Sequence, residues 1–392
     1  MRSMEKRSAN RRSIILFLTS YFARFPNIGG AMAEHYAGLY NTFSERFSLH
    51  YDCYWYDEER MEFYKFLHGR YQLTTARFLP AIVLQLFGRF IKQHKKLVVV
   101  MPYPYAVSKL PFLVFAMLLF ALKLVGAVKI VLDVIDVPAY KGRETGKLLV
   151  VPFTVHEILC FKLASSFIVN SQGWRRYFLD KNVKNDVLHV ISDSSFHHLI
   201  KPRPRLSSHD AFHVLYSGNL SAGRGIENLV ECVGRIRKRG YNIRLLLTSG
   251  GAPKLDLLHN EWINVYLSLP YISFVSVLSK ADACVIPYAP DSYWDRAFLS
   301  KLSVYMAAGK PILSTNLPEI RRILRKWNCG LVARDWTEME KLIIRLYENP
   351  ELASILGKNA RTAVERVYNW AAAAVELEKL VKNVLSSEAS SQ

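Results

Sequence analysis

Two short stretches of the chain join a cation to a backbone that could grip an anion. In "SKLSVYMAAGKPILST", Ser300 and Lys301 open a helix-period stretch that follows the strand-like "ACVIPYA". A serine there can cap the helix, and the N–H groups of the first turn then point with the Lys301 ammonium toward the same side. Such a helix start suits an anion. Its stop is equally legible, because Gly309 can take the left-handed conformation past the last turn and Pro311 cannot continue a helix. In "YSGNLSAGRGIENLVE", Gly218 ends a strand, Gly223 and Gly225 loosen the turn, and Arg224 sits between them just before a helix. Small residues let backbone N–H groups come close to an anion, and arginine adds a planar charged fork. The stretch is neither GxGxxG nor a P-loop, which argues against dinucleotide-binding and kinase readings. Two such units in one domain suggest a pyrophosphate held between them. "LTSYFARFPNIGGAMAEHYAGL" repeats the plan with Gly29 and Gly30, where the alternative is a glycine pair that only lets a helix pack close to its sheet.

The elements that must position these residues alternate. Apolar runs "SIILFLT", "LVVVMP", "KIVLDVID", "SFIVNS" and "VLHVIS" are interleaved with helix-period stretches such as residues 30 to 46 and 155 to 164. Strand–helix alternation implies a parallel sheet covered on both faces. The Pro-, Ser- and charge-rich "LIKPRPRLSSHDAF", residues 199 to 212, is the best linker, and the pattern restarts after it with "HVLYSGNL", a helix from Glu227 to Lys238, "NIRLLLTSG", "INVYLSL", "ACVIPYA" and "PILST". The expected organisation is an α/β fold of two doubly wound Rossmann-like domains facing each other across a cleft. Residues 1–198 form the first and 213–370 the second, with a terminal helix and disordered tail over 371–392. In such sheets ligands bind at the carboxyl ends of the strands. The long amphipathic stretch over residues 353 to 385 is expected to strap the domains together, with a plain surface helix as the alternative.

A length of 392 residues favours two domains, and 51% hydrophobic with 22% charged residues is globular. Cys53, Cys160, Cys232, Cys284 and Cys329 are scattered without metal-ligand spacing, so neither zinc nor a disulfide framework is expected and a reducing cytosol fits. The formal charge of +19 calls for anionic company: nucleic acid, lipid head groups or phosphorylated substrates. No zinc finger, RNP-like motif or basic helix-turn-helix supports a nucleic-acid partner. The basic opening "MRSMEKRSANRRS" before "IILFLT" imitates a secretory signal, but its apolar part is short, and it reads as a solvated tail. "PFLVFAMLLFALKLVGAV", residues 111 to 128, is broken by Lys123 and Gly126 and falls short of the ~20 apolar residues that cross a bilayer. It reads as a buried helix.

"YSGNLSAGRGIENLVE", "SKADACVIPYAP", "SKLSVYMAAGKPILSTNLPEI" and "NCGLVARD" together resemble the carboxyl-terminal domain of family 4 glycosyltransferases of the GT-B fold. "FPNIGGAMAEHYAGL", "KIVLDVIDVP" and "ASSFIVNSQGWRRYFL" resemble the matching amino-terminal half, so the likeness covers nearly the whole chain, with "YMAAGKP" its most specific piece. The resemblance implies transfer of a sugar from a UDP- or GDP-linked donor to an acceptor, with retained configuration, no cofactor and no essential metal. It implies that Gly29 and Gly30 approach the donor phosphates, and that Gly218, Asn219, Gly223 and Arg224 form the loop where the family has a diphosphate-neutralising lysine. It also implies that Ser300, Lys301 and Leu302 open the helix whose N–H groups meet the distal phosphate. Glu319 matches the "PEI" element and is expected only to complete a capping box with Asn316. The chain departs from the family at Arg296 and Val304, where two glutamates are common, at Asn219, where an arginine is usual, and at Ile135, where a histidine often precedes Asp136.

Breaking a sugar–phosphate bond builds positive charge at the anomeric carbon and negative charge on the leaving diphosphate. Arg224 and Lys301 are expected to stabilise the leaving group, and Asp136 to orient the acceptor hydroxyl or donor sugar, with a loop-capping aspartate as the alternative. The aromatic, then basic, stretch from residues 51 to 96 suggests an acceptor groove beside a helix whose Arg77, Arg89, Lys92, Lys95 and Lys96 meet anionic lipid; a core-facing helix with a solvated basic face is the other reading. The expectation is a cytoplasmic hexosyltransferase, peripheral on the inner face of the plasma membrane, that glycosylates a lipid-linked or polysaccharide acceptor. A non-catalytic partner subunit of the same fold and a nucleotide-sugar isomerase stand as alternatives.

Overall fold

The computed structural model describes residues 13–18, 31–57, 62–67, 70–76, 97–103, 122–123, 126, 128–134, 161–162, 164–203, 211–221, 223–251, 260–290 and 293–386. Gly29, Gly30, Ile135, Asp136, the segment 111–121, the basic positions of 77–96 and the terminal tail lie outside the described residues.

The chain forms two sheets in series. The first runs through β1 (Ser13–Leu18), α1 (Ala31–Phe47), β2 (Tyr51–Asp57), β3 (Glu62–Leu67), β4 (Arg70–Ala76), β5 (Leu97–Tyr103), β6 (Val128–Val134), β7 (Ser166–Val169), α2 (Gln172–Leu179) and β8 (Leu188–Val190). Its strand order is β4-β3-β2-β1-β5-β6-β7-β8. Pairing is parallel from β2 through β8, whereas β3 runs antiparallel to both β2 and β4. Over the described residues the aromatic part of the segment that starts at residue 51 is an antiparallel ribbon of three strands, and the helix expected over its basic part lies outside the described residues. "YDCYWYD" carries aromatics at Tyr51, Tyr54, Trp55 and Tyr56, and the β propensity of tyrosine and tryptophan favours strand.

The second sheet contains β9 (Phe212–Ser217), α3 (Ile226–Lys238), β10 (Ile243–Ser249), β11 (Ile263–Leu267), α4 (Tyr271–Ser279), β12 (Ala283–Ile286), α5 (Ser300–Ala307), β13 (Ile312–Thr315), α6 (Pro318–Trp327) and β14 (Gly330–Ala333). All its pairs are parallel, in the order β11-β10-β9-β12-β13-β14. The winding therefore reverses between β9 and β12. The helices α7 (Trp336–Glu348), α8 (Pro350–Arg366) and α9 (Trp370–Ser386) close the chain.

The long terminal stretch is two helices. Asn369 breaks it by serving both: its amide N–H groups donate to the Val364 and Glu365 carbonyls that end α8, while its side-chain oxygen accepts from the Ala372 N–H and starts α9. The break sends the chain back to the first sheet. Leu356, Ala360, Ala363 and Val364 of α8 are buried in the core of the second sheet, while Trp370, Ala374, Leu377, Leu380 and Val381 of α9 are buried with Phe17, Leu39, Tyr40 and Phe43 against one face of the first. Each buried leucine, valine or phenylalanine among them contributes about 1.5–3 kcal/mol. Gly38 of α1 lets the helices meet, since a side chain there would run into the Trp370 indole. The opposite face is covered by Trp174, Tyr177 and Phe178 of α2.

The sheets turn carboxyl-terminal edges toward one another, because residues just past β7 meet residues just past β12 and β13. Ser171 caps α2 by accepting from the Trp174 N–H at 3.0 Å, and its hydroxyl donates to the Arg296 carbonyl at 2.5 Å. Gly173 leaves no room for a side chain against the Arg296 backbone, and Trp174 meets the Tyr293 ring edge-on at 5.5 Å. Glu319 adds a bond across this seam: its Oε1 accepts from the Gln172 N–H at 3.3 Å and from Arg322 at 2.7 Å. That corrects the capping-box expectation. The N-cap of α6 is Leu317, and the Asn316 oxygen accepts from Arg321 instead.

Candidate functional site

The reversal between β9 and β12 makes the carboxyl ends of these two strands the topological switch point of the sheet, the place where sheets of this kind bind ligands. Both cationic units sit there. After β9, Gly218 has φ 141°, and a side chain on it would collide with the Lys301 ammonium. Gly225, at φ 72°, is the N-cap of α3, and a side chain there would strike the Pro287 carbonyl. This backbone contact draws the Arg224 loop onto the end of β12, next to Tyr288. On the other side, Tyr305 of α5 accepts from the Ser217 N–H at 2.8 Å, which fixes α5 to the end of β9 and brings Lys301, one turn earlier, beneath it.

The two cations meet on one oxygen. Lys301 Nζ donates to the Tyr288 hydroxyl at 2.6 Å and Arg224 Nη1 donates to it at 3.0 Å. Aromatic rings surround them: Lys301 Nζ lies 4.1 Å from the Tyr216 centroid and 4.6 Å from that of Tyr288, and the Arg224 guanidinium lies 4.9 Å from the Trp294 centroid. Each such contact holds a cation with roughly 0.5–2 kcal/mol. Burial lowers the Lys301 ammonium, with the Tyr288 oxygen opposing. Burial alone would raise the Tyr288 phenol, but the Lys301 and Arg224 charges outweigh it and bring it down to about 8. Trp294 packs on Tyr293 at 4.8 Å, so one aromatic pair separates the cations from the seam at Trp174.

Other expected site residues fall differently. Asn219 contributes its carbonyl, which accepts from the Tyr216 hydroxyl at 3.0 Å, and Gly223 turns the chain at φ 79°. Ser300 is not the cap of α5. Leu299 occupies that position without a side-chain hydrogen bond, and the Ser300 carbonyl accepts from Ser303. The Leu302 N–H already donates to the Leu299 carbonyl at 2.8 Å and its side chain is buried, whereas the first-turn N–H groups of Ser300 and Lys301 come too early in α5 for an intrahelical acceptor. The capping expectation failed because the sequence cannot tell the cap position from the first helical turn when the preceding loop is irregular. The Tyr216, Tyr288 and Trp294 box was missed as well. Its sequence signal was a tyrosine at or just beyond the end of each of two adjacent strands.

A second buried cluster escaped sequence reading. His35 of α1 donates from Nδ1 to Asp193 at 2.7 Å and from Nε2 to Asp133 of β6 at 2.9 Å, and the Tyr40 hydroxyl donates to Asp133 at 2.7 Å. Burial would lower the imidazole, but Asp133 and Asp193 together raise it to about 10, so it is an imidazolium. The signal was present in "KIVLDVID", where a lone acid interrupts a strand apolar on both faces.

Two doubly wound sheets with opposed carboxyl edges and an anion-directed switch point define the GT-B fold. Solved structures agree: sucrose-phosphate synthase from Thermosynechococcus elongatus has TM-score 0.70 and 15% identity, over 96% of this chain and 100% of that one. HepE from Anabaena, in complex with UDP, has TM-score 0.61 and 13% identity, over 95% and 100%. Residues 211–349, which contain both cationic units, match the family model described as Glycosyl transferases group 1. The resemblance to glycosyltransferases read from the motifs thus holds. The putative glycosyltransferase YtcC of Bacillus subtilis is 25% identical over 197 residues. That match spans about half of each chain, 47% of this one and 48% of the relative.

Proposed function

We propose that the chain is a glycosyltransferase of the group 1 type that moves a sugar from a nucleotide diphosphate donor to a lipid-linked or glycan acceptor, with retention and without a metal. The observation that carries the reading is the convergence of Arg224 and Lys301 on one point at the switch of the second sheet. A diphosphate oxygen placed there would receive two charge-assisted hydrogen bonds, each contributing about 1.5–3 kcal/mol, and the first-turn N–H groups of α5 would add to them. These donors act most strongly on the charge that grows as the sugar–phosphate bond breaks, so they lower the barrier rather than merely tighten binding. The bound UDP of the structurally similar HepE supports a nucleotide donor. No helix among the described residues is long and apolar enough to cross a membrane, and the reading takes peripheral binding as the route to a lipid-linked acceptor.

The test is a panel of UDP- and GDP-sugars incubated with the full chain and lipid extract, beside Arg224→Ala and Lys301→Ala. Loss of either cation is expected to lower turnover by about 10²–10³ with the fold intact by circular dichroism. Normal transfer by both variants would overturn the site, and nucleotide binding without any turnover would favour the non-catalytic partner subunit.

A further inference from the structure

The group on which the site converges is itself uncharged at neutral pH. Tyr288 follows β12 by two residues, and its carbonyl accepts from the Thr315 hydroxyl at 2.5 Å, which locks its backbone to the end of β13. Its ring lies between the two cations and against Trp294, with centroids 4.7 Å apart. A phenolic oxygen offers two lone pairs, and here Lys301 and Arg224 claim both. The hydroxyl proton is left to point toward the Tyr216 oxygen, 3.4 Å away.

We propose that Tyr288 is the positioning residue of the diphosphate site: it aims Arg224 and Lys301 at one point and admits an anion there only while its hydroxyl keeps its proton. The inference rests on the donor reading above and adds a proton linkage to it. Loss of the proton would put a full negative charge within hydrogen-bond distance of both cations, so the phenolate would compete with the diphosphate for the same N–H donors. A donor binding above the phenol's pKa must then take up one proton from solvent, converting the phenolate back to the hydroxyl.

The groups that face this oxygen decide where the linkage falls. Lys301 of α5 and Arg224 of the loop before α3 favour the phenolate and bring it to about pH 8. Tyr216 of β9 is driven the other way by burial and by Tyr288, and Tyr305 of α5 is raised well above the ordinary phenol by burial, so neither competes for ionisation. Cys284 of β12 is likewise raised by burial. Among the described groups that face this oxygen, Lys301, lowered by burial, is the rival source of alkaline weakening.

Calorimetric titration of UDP and GDP into the full chain, with uridine as a phosphate-free control, tests the proposal from about pH 7 to about pH 9.5. Affinity for the nucleoside diphosphates is expected to fall about tenfold between pH 7 and pH 9, with uptake of close to one proton at the upper end. Tyr288→Phe is expected to flatten the profile to within about twofold, while Tyr241→Phe, at a tyrosine outside the site that donates to Glu348, keeps the wild-type slope. An unchanged slope in Tyr288→Phe would assign the effect to Lys301 and overturn the proposal, as would a flat wild-type profile. Should Tyr288→Phe not fold, ultraviolet difference titration of the wild type reads the same event: one tyrosine ionising near pH 8 and protected by UDP is expected, and none below about pH 9.5 would overturn the proposal. If UDP and GDP bind Lys301→Ala as they bind the wild type, or bind neither, the diphosphate reading itself fails.

Discussion

Replacing His35 by glutamine tests the buried acid–histidine–acid cluster where α1, β6 and the segment after β8 meet. In the folded chain both ring nitrogens donate to carboxylates, and the imidazole is raised from 6.5 to about 10. A shift of about 3.5 units corresponds to about 5 kcal/mol of stability. Because the folded value lies above the unfolded one, that stability is fully present below pH 6.5 and is lost as pH rises through 10. About 3 kcal/mol should remain at pH 7.5 and little more than 1 kcal/mol at pH 9. Glutamine can donate to one aspartate only, which strands the other carboxylate, and breaking a buried pair costs about 3–5 kcal/mol. Urea unfolding of wild type and His35→Gln across this range is the assay. The gap between the two stabilities should shrink by about 2 kcal/mol from pH 7.5 to pH 9. A gap that stays constant or widens would show that the imidazole is neutral in the folded chain. If the variant does not fold, the wild type alone should lose stability over the same interval.

Two further outcomes follow from local geometry. Gly225→Ala places a methyl group against the Pro287 carbonyl at a left-handed position, so the Arg224 loop should lift from Tyr288. UDP affinity should drop by about tenfold or more, with a stability loss above the about 1–2 kcal/mol that the left-handed backbone alone costs, read by titration calorimetry beside thermal melting. Asn369→Ala removes one cap from each of two helices. It should destabilise the chain by about 1–2 kcal/mol in urea unfolding, and Asn369→Asp, which keeps the acceptor for the Ala372 N–H, should recover part of that loss.

Sequence reading reached furthest where the deciding interactions are local. The helix expected from Glu227 to Lys238 is α3, Ile226–Lys238, since its apolar residues recur at helical spacing. The stop at Gly309 has the expected left-handed φ of 65°, because only the backbone of that turn decides it. The aromatic segment offers no such local rule, because the register of β2, β3 and β4 is set by pairing from strand to strand. Glu319 looked like a cap from its spacing to Asn316, yet its carboxylate turned to Gln172, 147 residues away, where no spacing rule applies.

Winding and cationic loops are thus properties of the linear chain, since strand–helix alternation and glycine-flanked turns depend on near neighbours. Tertiary structure alone decided what each charge faces. Tyr288 collects Arg224 from the loop before α3, 64 residues away, and Lys301 from α5, 13 residues away, and His35 lies between Asp133 and Asp193, 98 and 158 residues away. A hydrogen bond or a field between charges acts over a few ångströms of space whatever the separation along the chain, so these contacts exist only once the sheets have brought their ends together.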